Sequence, residues 1–211
     1  ELESRVRVRT HELEQTRREV IGRLATAGEF RDNATGRHVI RISQYAYHLA
    51  LAAGAPDEEA AMIRDAAPLH DIGKIGIPDA VLLKPARLGP AEWEIMKRHA
   101  EIGGEILANS GFPLLDLARS IALTHHEHWD GSGYPAGLRG EAIPLAGRIV
   151  AIADVFDATT SDRPYKQPWS VDRAVAFMQG IAGSRLDPRL IEVFVRELPK
   201  MLEIKDRFED D

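Results

Sequence analysis

Residues 114–126 read Leu114-Leu115-Asp116-Leu117-Ala118-Arg119-Ser120-Ile121-Ala122-Leu123-Thr124-His125-His126. Leu117, Ile121 and His125 fall four apart, on one face of a helix. An apolar stripe that ends in histidine aims that imidazole into a core. The arrangement recurs along the chain. Ile63, Ala67 and His70 share a face, as do Met96, His99 and Gly103. Ile149, Ala153 and Asp157 share another, with Val150 and Asp154 beside them. Outward from this stretch the pattern is helical almost throughout after Ala34. Helices are expected at about 36–53, 58–71, 90–109, 114–128, 145–160, 171–180 and 188–202. Short alternating runs with hairpin turns are missing. The expected fold class is all-α, a helical bundle.

Residues 1–31 read as a charged helix. Val6, Leu13, Val20 and Ala27 recur every seven residues and give one coiled-coil seam, while the other seam is poor, with Thr10 and Arg17 before Leu24. Two readings stay open: a solvated helix leading into the domain, or a signalling linker helix that pairs two copies. Residues 32–202 form the expected domain, and the charged tail 203–211 is expected to fray. Glycine and proline gather between Gly73 and Pro90 and again from Gly131 to Pro144, where Gly131, Gly133, Pro135, Gly137 and Gly140 predict an irregular loop. The chain starts at Glu1 rather than Met, which points to a piece of a longer protein.

The 211 residues suit one domain with an appendage, at about 150 residues per domain. Hydrophobic residues make up 44%, enough for a packed core, and the net charge of −6 argues against binding duplex nucleic acid. Cysteine is absent, which excludes disulfides, thiolate zinc sites, iron–sulfur clusters and cysteine nucleophiles. Any metal must then rest on nitrogen and oxygen ligands. No apolar run approaches the roughly 20 residues of a membrane span. His11 reads as a surface residue and His48 as a core or boundary residue. His38, His70, Asp71, His99, His125, His126 and Asp154 are different, because each lies along an apolar stripe. A buried carboxylate without a partner costs several kcal/mol, and a cation removes that cost. Seven ligands exceed what one ion needs. Two ions are more natural, with Asp71 as bridge, and a pair about 3.5–4 Å apart can clamp an in-line phosphoryl displacement. That suggests a phosphodiesterase or phosphatase. Lys74, and Arg163 and Lys166 in Asp162-Arg163-Pro164-Tyr165-Lys166, offer positive charge to phosphate oxygens.

His70-Asp71 followed by Gly73-Lys74 resembles the hallmark of the HD superfamily of metal-dependent phosphohydrolases. The run His125-His126-Glu127-His128-Trp129-Asp130-Gly131-Ser132-Gly133-Tyr134-Pro135 resembles the second motif of its HD-GYP subfamily. The likeness continues through Gly137-Leu138, Gly140-Glu141, Ile143-Pro144, Ile152-Ala153-Asp154 and Arg163-Pro164-Tyr165-Lys166, and covers about residues 24–200. It implies an HD-domain helical bundle in a bacterial, cytoplasmic signalling protein. It implies hydrolysis of cyclic di-GMP to linear pGpG, to GMP, or both. It also implies metal ligation by the same seven residues; His128 falls at a variable position of the motif. On this reading His38, His70 and Asp154 complete one ion, and His99, His125 and His126 the other, with Asp71 and a hydroxide between them. Asp71 and Lys74 are the expected catalytic residues, and Lys74, Arg163 and Lys166 the expected substrate contacts. Iron or manganese is favoured; zinc, nickel and cobalt suit the same ligands.

Many members carry a glutamate that helps hold a third metal, in Glu-Thr-Gly-x-His, where this chain has Ala34-Thr35-Gly36-Arg37-His38. Alanine has no donor atom, so two metals are expected; Glu29 and Asp32 are nearby acids at a different spacing. Gly133, Tyr134 and Pro135 form either a structural loop or a surface for guanine-nucleotide-synthesising or other signalling proteins. A non-catalytic receptor for cyclic di-GMP or a protein partner is the competing function.

Overall fold

The computed structural model describes residues 1–29, 31, 36–162 and 167–209. Helix α1 (Leu2–Glu29) is 28 residues long, roughly 42 Å at 1.5 Å per residue. Residues 1–20 are exposed, and burial begins at Ile21 and Ala25. The far end of α1 therefore projects from the body, and its base packs on it. Asp65 of the body lies at that junction, 3.4 and 3.8 Å from the partly exposed Arg17 and Arg18 and paired with its neighbour Arg64 at 2.8 Å.

The core is built around two helices, α2 (Gly36–Ala52) and α8 (Leu145–Thr160). On α2, Val39, Ile42, Tyr45, Ala46 and Leu49 are buried at three- and four-residue spacing, the stripe of a core-facing helix. On α8 the buried set is almost continuous, as expected for a helix covered on most sides. Tyr45 meets Phe156 edge-on at 5.4 Å, and Phe156 meets Phe194 at 5.0 Å, which ties α2 and α8 to the C-terminal helices. Helix α3 (Asp57–Ala66) opens on Asp57, Glu58 and Glu59, matched to the positive end of its dipole.

Three expected helices are broken. The one at 58–71 stops at Ala66 and continues as 3-10 turns over Ala67–Leu69 and Ile72–Gly76, so His70 and Asp71 do not lie on an α-helix. Pro68 has no N–H to give to an α-helical ladder, and His70 N–H closes a tighter turn on the Ala67 carbonyl. Short helix α4 (Asp79–Leu82) then appears within the glycine- and proline-rich stretch. The helix expected at 90–109 divides into α5 (Pro90–Lys97) and α6 (His99–Ile106). Helices α7 (Pro113–Thr124) and α9 (Val171–Gly180) follow expectation, although α7 ends just before His125. The last one divides into α10 (Pro188–Arg196) and α11 (Leu198–Arg207), because Pro199 is tolerated only in a first turn. Residues 203–207 are therefore helical. Among the described residues there is no β-strand beyond one isolated bridge between Ala182 and Leu186, and no helix is long and apolar enough to cross a membrane.

Candidate metal centre

The breaks in the helices are what assemble the centre. His70 and Asp71 sit between two 3-10 turns, His99 opens α6, and His125 and His126 follow the end of α7. Gly73 permits this, since a Cβ there would collide with the His99 carbonyl oxygen and the Gly103 nitrogen. The turn carrying Lys74 is held from α1's side. The Arg31 guanidinium donates to the carbonyls of Lys74, Ile75 and Ile77 at 3.3, 2.6 and 3.0 Å and pairs with Asp79.

Two groups of ligand atoms result, each spanning no more than 4.8 Å: Asp71, His99, His125 and His126, and His38, His70 and Asp154. Asp71 lies between them. Its Oδ1 is 3.2 Å from His99 Nε2 and 3.4 Å from His125 Nε2, while Oδ2 is 3.4 Å from His70 Nε2 and 2.8 Å from Lys74 Nζ. Three of the imidazoles, His70, His99 and His125, present Nε2 because their other nitrogen is occupied. Nδ1 of His70 bonds the Ala67 carbonyl at 3.0 Å, Nδ1 of His99 that of Met96 at 2.8 Å, and Nδ1 of His125 those of Ile121 and Ala122 at 3.1 Å. A proton fixed at Nδ1 leaves the lone pair on Nε2.

Charge and burial agree with a cation site. Burial alone would raise the Asp71 carboxyl, but the Lys74 ammonium and the surrounding imidazoles hold it well below the usual carboxylate range. Burial pushes His125 below the ordinary imidazole value, and His126 well below it with help from His125 and His99. Both are therefore neutral near pH 7. Asp71 Oδ1, His99 Nε2 and His125 Nε2 are buried without a hydrogen bond to the protein. Leaving such a group unsatisfied costs about 1–3 kcal/mol, and a divalent cation among neutral imidazoles and carboxylates satisfies all three. The donor set fits a metal.

Asp154, expected to be buried, is partly exposed, and so is His126. The deeply buried carboxylate of α8 is Asp157, 1% exposed, which sequence reading placed on an inward face but left outside the site. It accepts from His38 Nδ1 at 2.6 Å and from Arg41 Nε at 2.5 Å and Nη2 at 3.1 Å. Arg41 was also missed, although it stands one turn after His38. His11 contacts Gln15, His48 lies beside Tyr47, and His128 bonds Ser132, all outside the two groups. Arg163, Lys166, Ala34 and Asp32 lie outside the described residues, as does the Glu29 side chain.

The 131–144 loop is fastened to the centre. The buried Glu127 carboxylate accepts from Ala136 N–H at 2.7 Å and Leu138 N–H at 3.0 Å. A Cβ at Gly133 would strike the backbone of Glu127 and His128. Tyr134 is thereby stacked on His126, with ring centroids 4.9 Å apart, and stands edge-on to His99 and Trp93 at 6.2 Å each. Burial, with Asp71 and Asp154 nearby, pushes its phenol up, so it stays protonated.

Known proteins resemble this chain in sequence and fold. The HD domain family model matches residues 11–190. The chain is 47% identical over 207 residues to the cyclic di-GMP phosphodiesterase response regulator RpfG of Xanthomonas campestris, covering 98% of this chain and 55% of that protein. It is 44% identical over 199 residues to 3'3'-cGAMP-specific phosphodiesterase 2 of Vibrio cholerae, covering 94% of this chain and 38% of that protein. The chain thus spans about half, or less, of these relatives. The crystal structure of a cyclic GMP-AMP specific phosphodiesterase from Vibrio cholerae superposes with a TM-score of 0.69 at 21% identity, over 90% of this chain and 52% of that one, which shows a shared fold. By the matched model, the identity to these relatives and the paired histidine–aspartate groups, the chain belongs to the HD domain family, in its HD-GYP branch.

Proposed function

We propose that the chain is the metal-dependent phosphodiesterase unit of a bacterial signalling protein and hydrolyses cyclic di-GMP to linear pGpG. The observation that carries this reading is Asp71 Oδ1, buried 3.2 and 3.4 Å from two Nε2 atoms whose rings are pinned at Nδ1. Seven residues would hold two divalent ions, of iron or manganese: His38, His70 and Asp154 for one, His99, His125 and His126 for the other, with Asp71 shared. When bound, such ions polarise a phosphate and supply a nucleophilic water at neutral pH. Asp71 offers one oxygen to each group. Lys74 is 2.8 Å from Asp71 Oδ2, within reach of a phosphate oxygen entering beside it, and Arg163 and Lys166 are assigned the same charge-balancing role. Tyr134 walls the site through His126 and limits the approach of water.

Dimerisation through α1 belongs to the same proposal, supported by the exposed Val6, Leu13 and Val20. So does capture of a signalling partner by the 133–135 loop, where Pro135 is the exposed member. The test uses one sample purified without chelators. Metal content is measured first, and cyclic di-GMP and 3'3'-cGAMP are then offered at equal concentration, anaerobically, with manganese or ferrous iron. Turnover of cyclic di-GMP to pGpG is expected; further release of GMP would show that the second step also occurs. Preference for 3'3'-cGAMP would reassign the substrate, and tight binding without turnover would make the chain a receptor.

A further inference from the structure

The geometry points to Asp157 as a positioning residue that fixes the proton of His38 on Nδ1 and so prepares Nε2 for the ion shared with His70 and Asp154. The inference rests on the two-group reading above. His38 differs from three other imidazoles of the centre. His70, His99 and His125 give Nδ1 to backbone carbonyls one turn back, an arrangement their own helical turns provide. His38 instead bonds a side chain 119 residues away, Asp157 Oδ2 at 2.6 Å. A histidine bound to metal commonly gives its second nitrogen to a carboxylate, which orients the ring and raises its basicity.

The carboxylate is itself held. Arg41 forks onto it, Nε to Oδ1 at 2.5 Å and Nη2 to Oδ2 at 3.1 Å. Its remaining Nη1 donates to the Phe208 carbonyl at 2.8 Å, just past the end of α11. His38, Arg41 and Asp157 are 5, 2 and 1% exposed, so the contacts among these three are buried. Arg41 balances the Asp157 charge and prevents its rotation. The sequence Phe208 carbonyl, Arg41, Asp157, His38 thus runs from the outer end of the last helix to one half of the centre and leaves the other half untouched.

An Asp157→Asn substitution separates these roles. Arg41 Nε, the closest donor, claims the amide oxygen at the Oδ1 position, which leaves the amide NH2 at the Oδ2 position against His38 Nδ1. The ring must then accept at Nδ1 and carry its proton on Nε2, the tautomer that has no lone pair at Nε2 for a metal. Metal-free protein with 15N-labelled histidine is studied by NMR, with the His38 signal assigned from a His38→Gln variant. Mn2+ binding is measured separately by equilibrium dialysis.

Wild type is expected to show His38 protonated at Nδ1, and Asp157→Asn to show it at Nε2. One of two Mn2+ ions should weaken by about 10–100-fold, the other holding its wild-type affinity. Wild-type His38 protonated at Nε2 would overturn the inference whether or not the variant folds. So would an Asp157→Asn protein that binds both ions normally, or one that loses both together with its helical circular dichroism. If wild type binds no Mn2+, the two-ion reading fails by itself, and the tautomer comparison still decides the role of Asp157.

Discussion

Asp71 has a different set of neighbours at each oxygen. Oδ1 faces two imidazoles and makes no hydrogen bond, whereas Oδ2 faces His70 and the Lys74 ammonium. If Asp71 is shared as proposed, removing the carboxylate would leave both groups short of a ligand. Asp71→Ala is therefore expected to lose metal and hydrolysis together, read by elemental analysis and a product assay on the same preparation. An active, fully metallated Asp71→Ala protein would refute the ligand assignment. Lys74→Met separates charge from ligation. Its metal content should match wild type, while turnover falls about 100-fold, the scale found when one charge-stabilising donor is removed. Loss of metal in Lys74→Met would show instead that the ammonium serves mainly to hold Asp71 in place. The seven candidate ligands were legible because inward-facing polar residues are rare and these recur on separate apolar stripes. Asp157 was not, because it and Asp154 stand one turn apart on one helix. Periodicity cannot say which of them points at the ions and which at a histidine behind them.

At the level of elements, a buried side chain braces the loop after α7. Glu127 is 3% exposed and takes two backbone N–H groups, from Ala136 and Leu138. Hydrogen bonds to a charged group are worth about 1.5–3 kcal/mol each. Glu127→Ala should cost about 3 kcal/mol, a fall of roughly 6–12 °C in Tm. It should also open residues 131–142 to limited proteolysis before the helices unfold. An unchanged Tm and cleavage pattern would mean that Tyr134 stacking and the Gly133 backbone contact hold the loop unaided. The loop itself could be read from its glycines and prolines. The broken helices could be read only in part. Pro68 and Pro199 mark two of the breaks. Between Lys97 and His99, however, neither glycine nor proline intervenes, and the break follows from packing of His99 against the turn that holds Gly73. Tertiary contact, not local preference, sets that boundary.

At the scale of the whole molecule, α1 is both an appendage and a neighbour of the centre. Residues 1–20 are exposed, yet a Cβ at Gly28 would lie 3.2 Å from Ile72, the residue after Asp71. Arg31 then grips the turn bearing Lys74. The base of α1 is held mainly by burial of Ile21 and Ala25, since the partly exposed Arg17 and Arg18 pairs with Asp65 add little. The outer seam is apolar at Val6, Leu13 and Val20, which are 56, 71 and 51% exposed. Pairing with α1 of a second copy would cover it. With Thr10 and Arg17 in the second seam the association should be weak and concentration-dependent. Sedimentation of the full chain is expected to show a monomer–dimer equilibrium. Leu13→Glu places a charge in the seam at a position no core contact uses. It should therefore yield a monomer at every concentration, with the wild-type Tm and metal content. A wild-type chain that stays monomeric across the same range would assign the α1 seam to a different occupant. A Leu13→Glu chain that still dimerises would move the interface off α1.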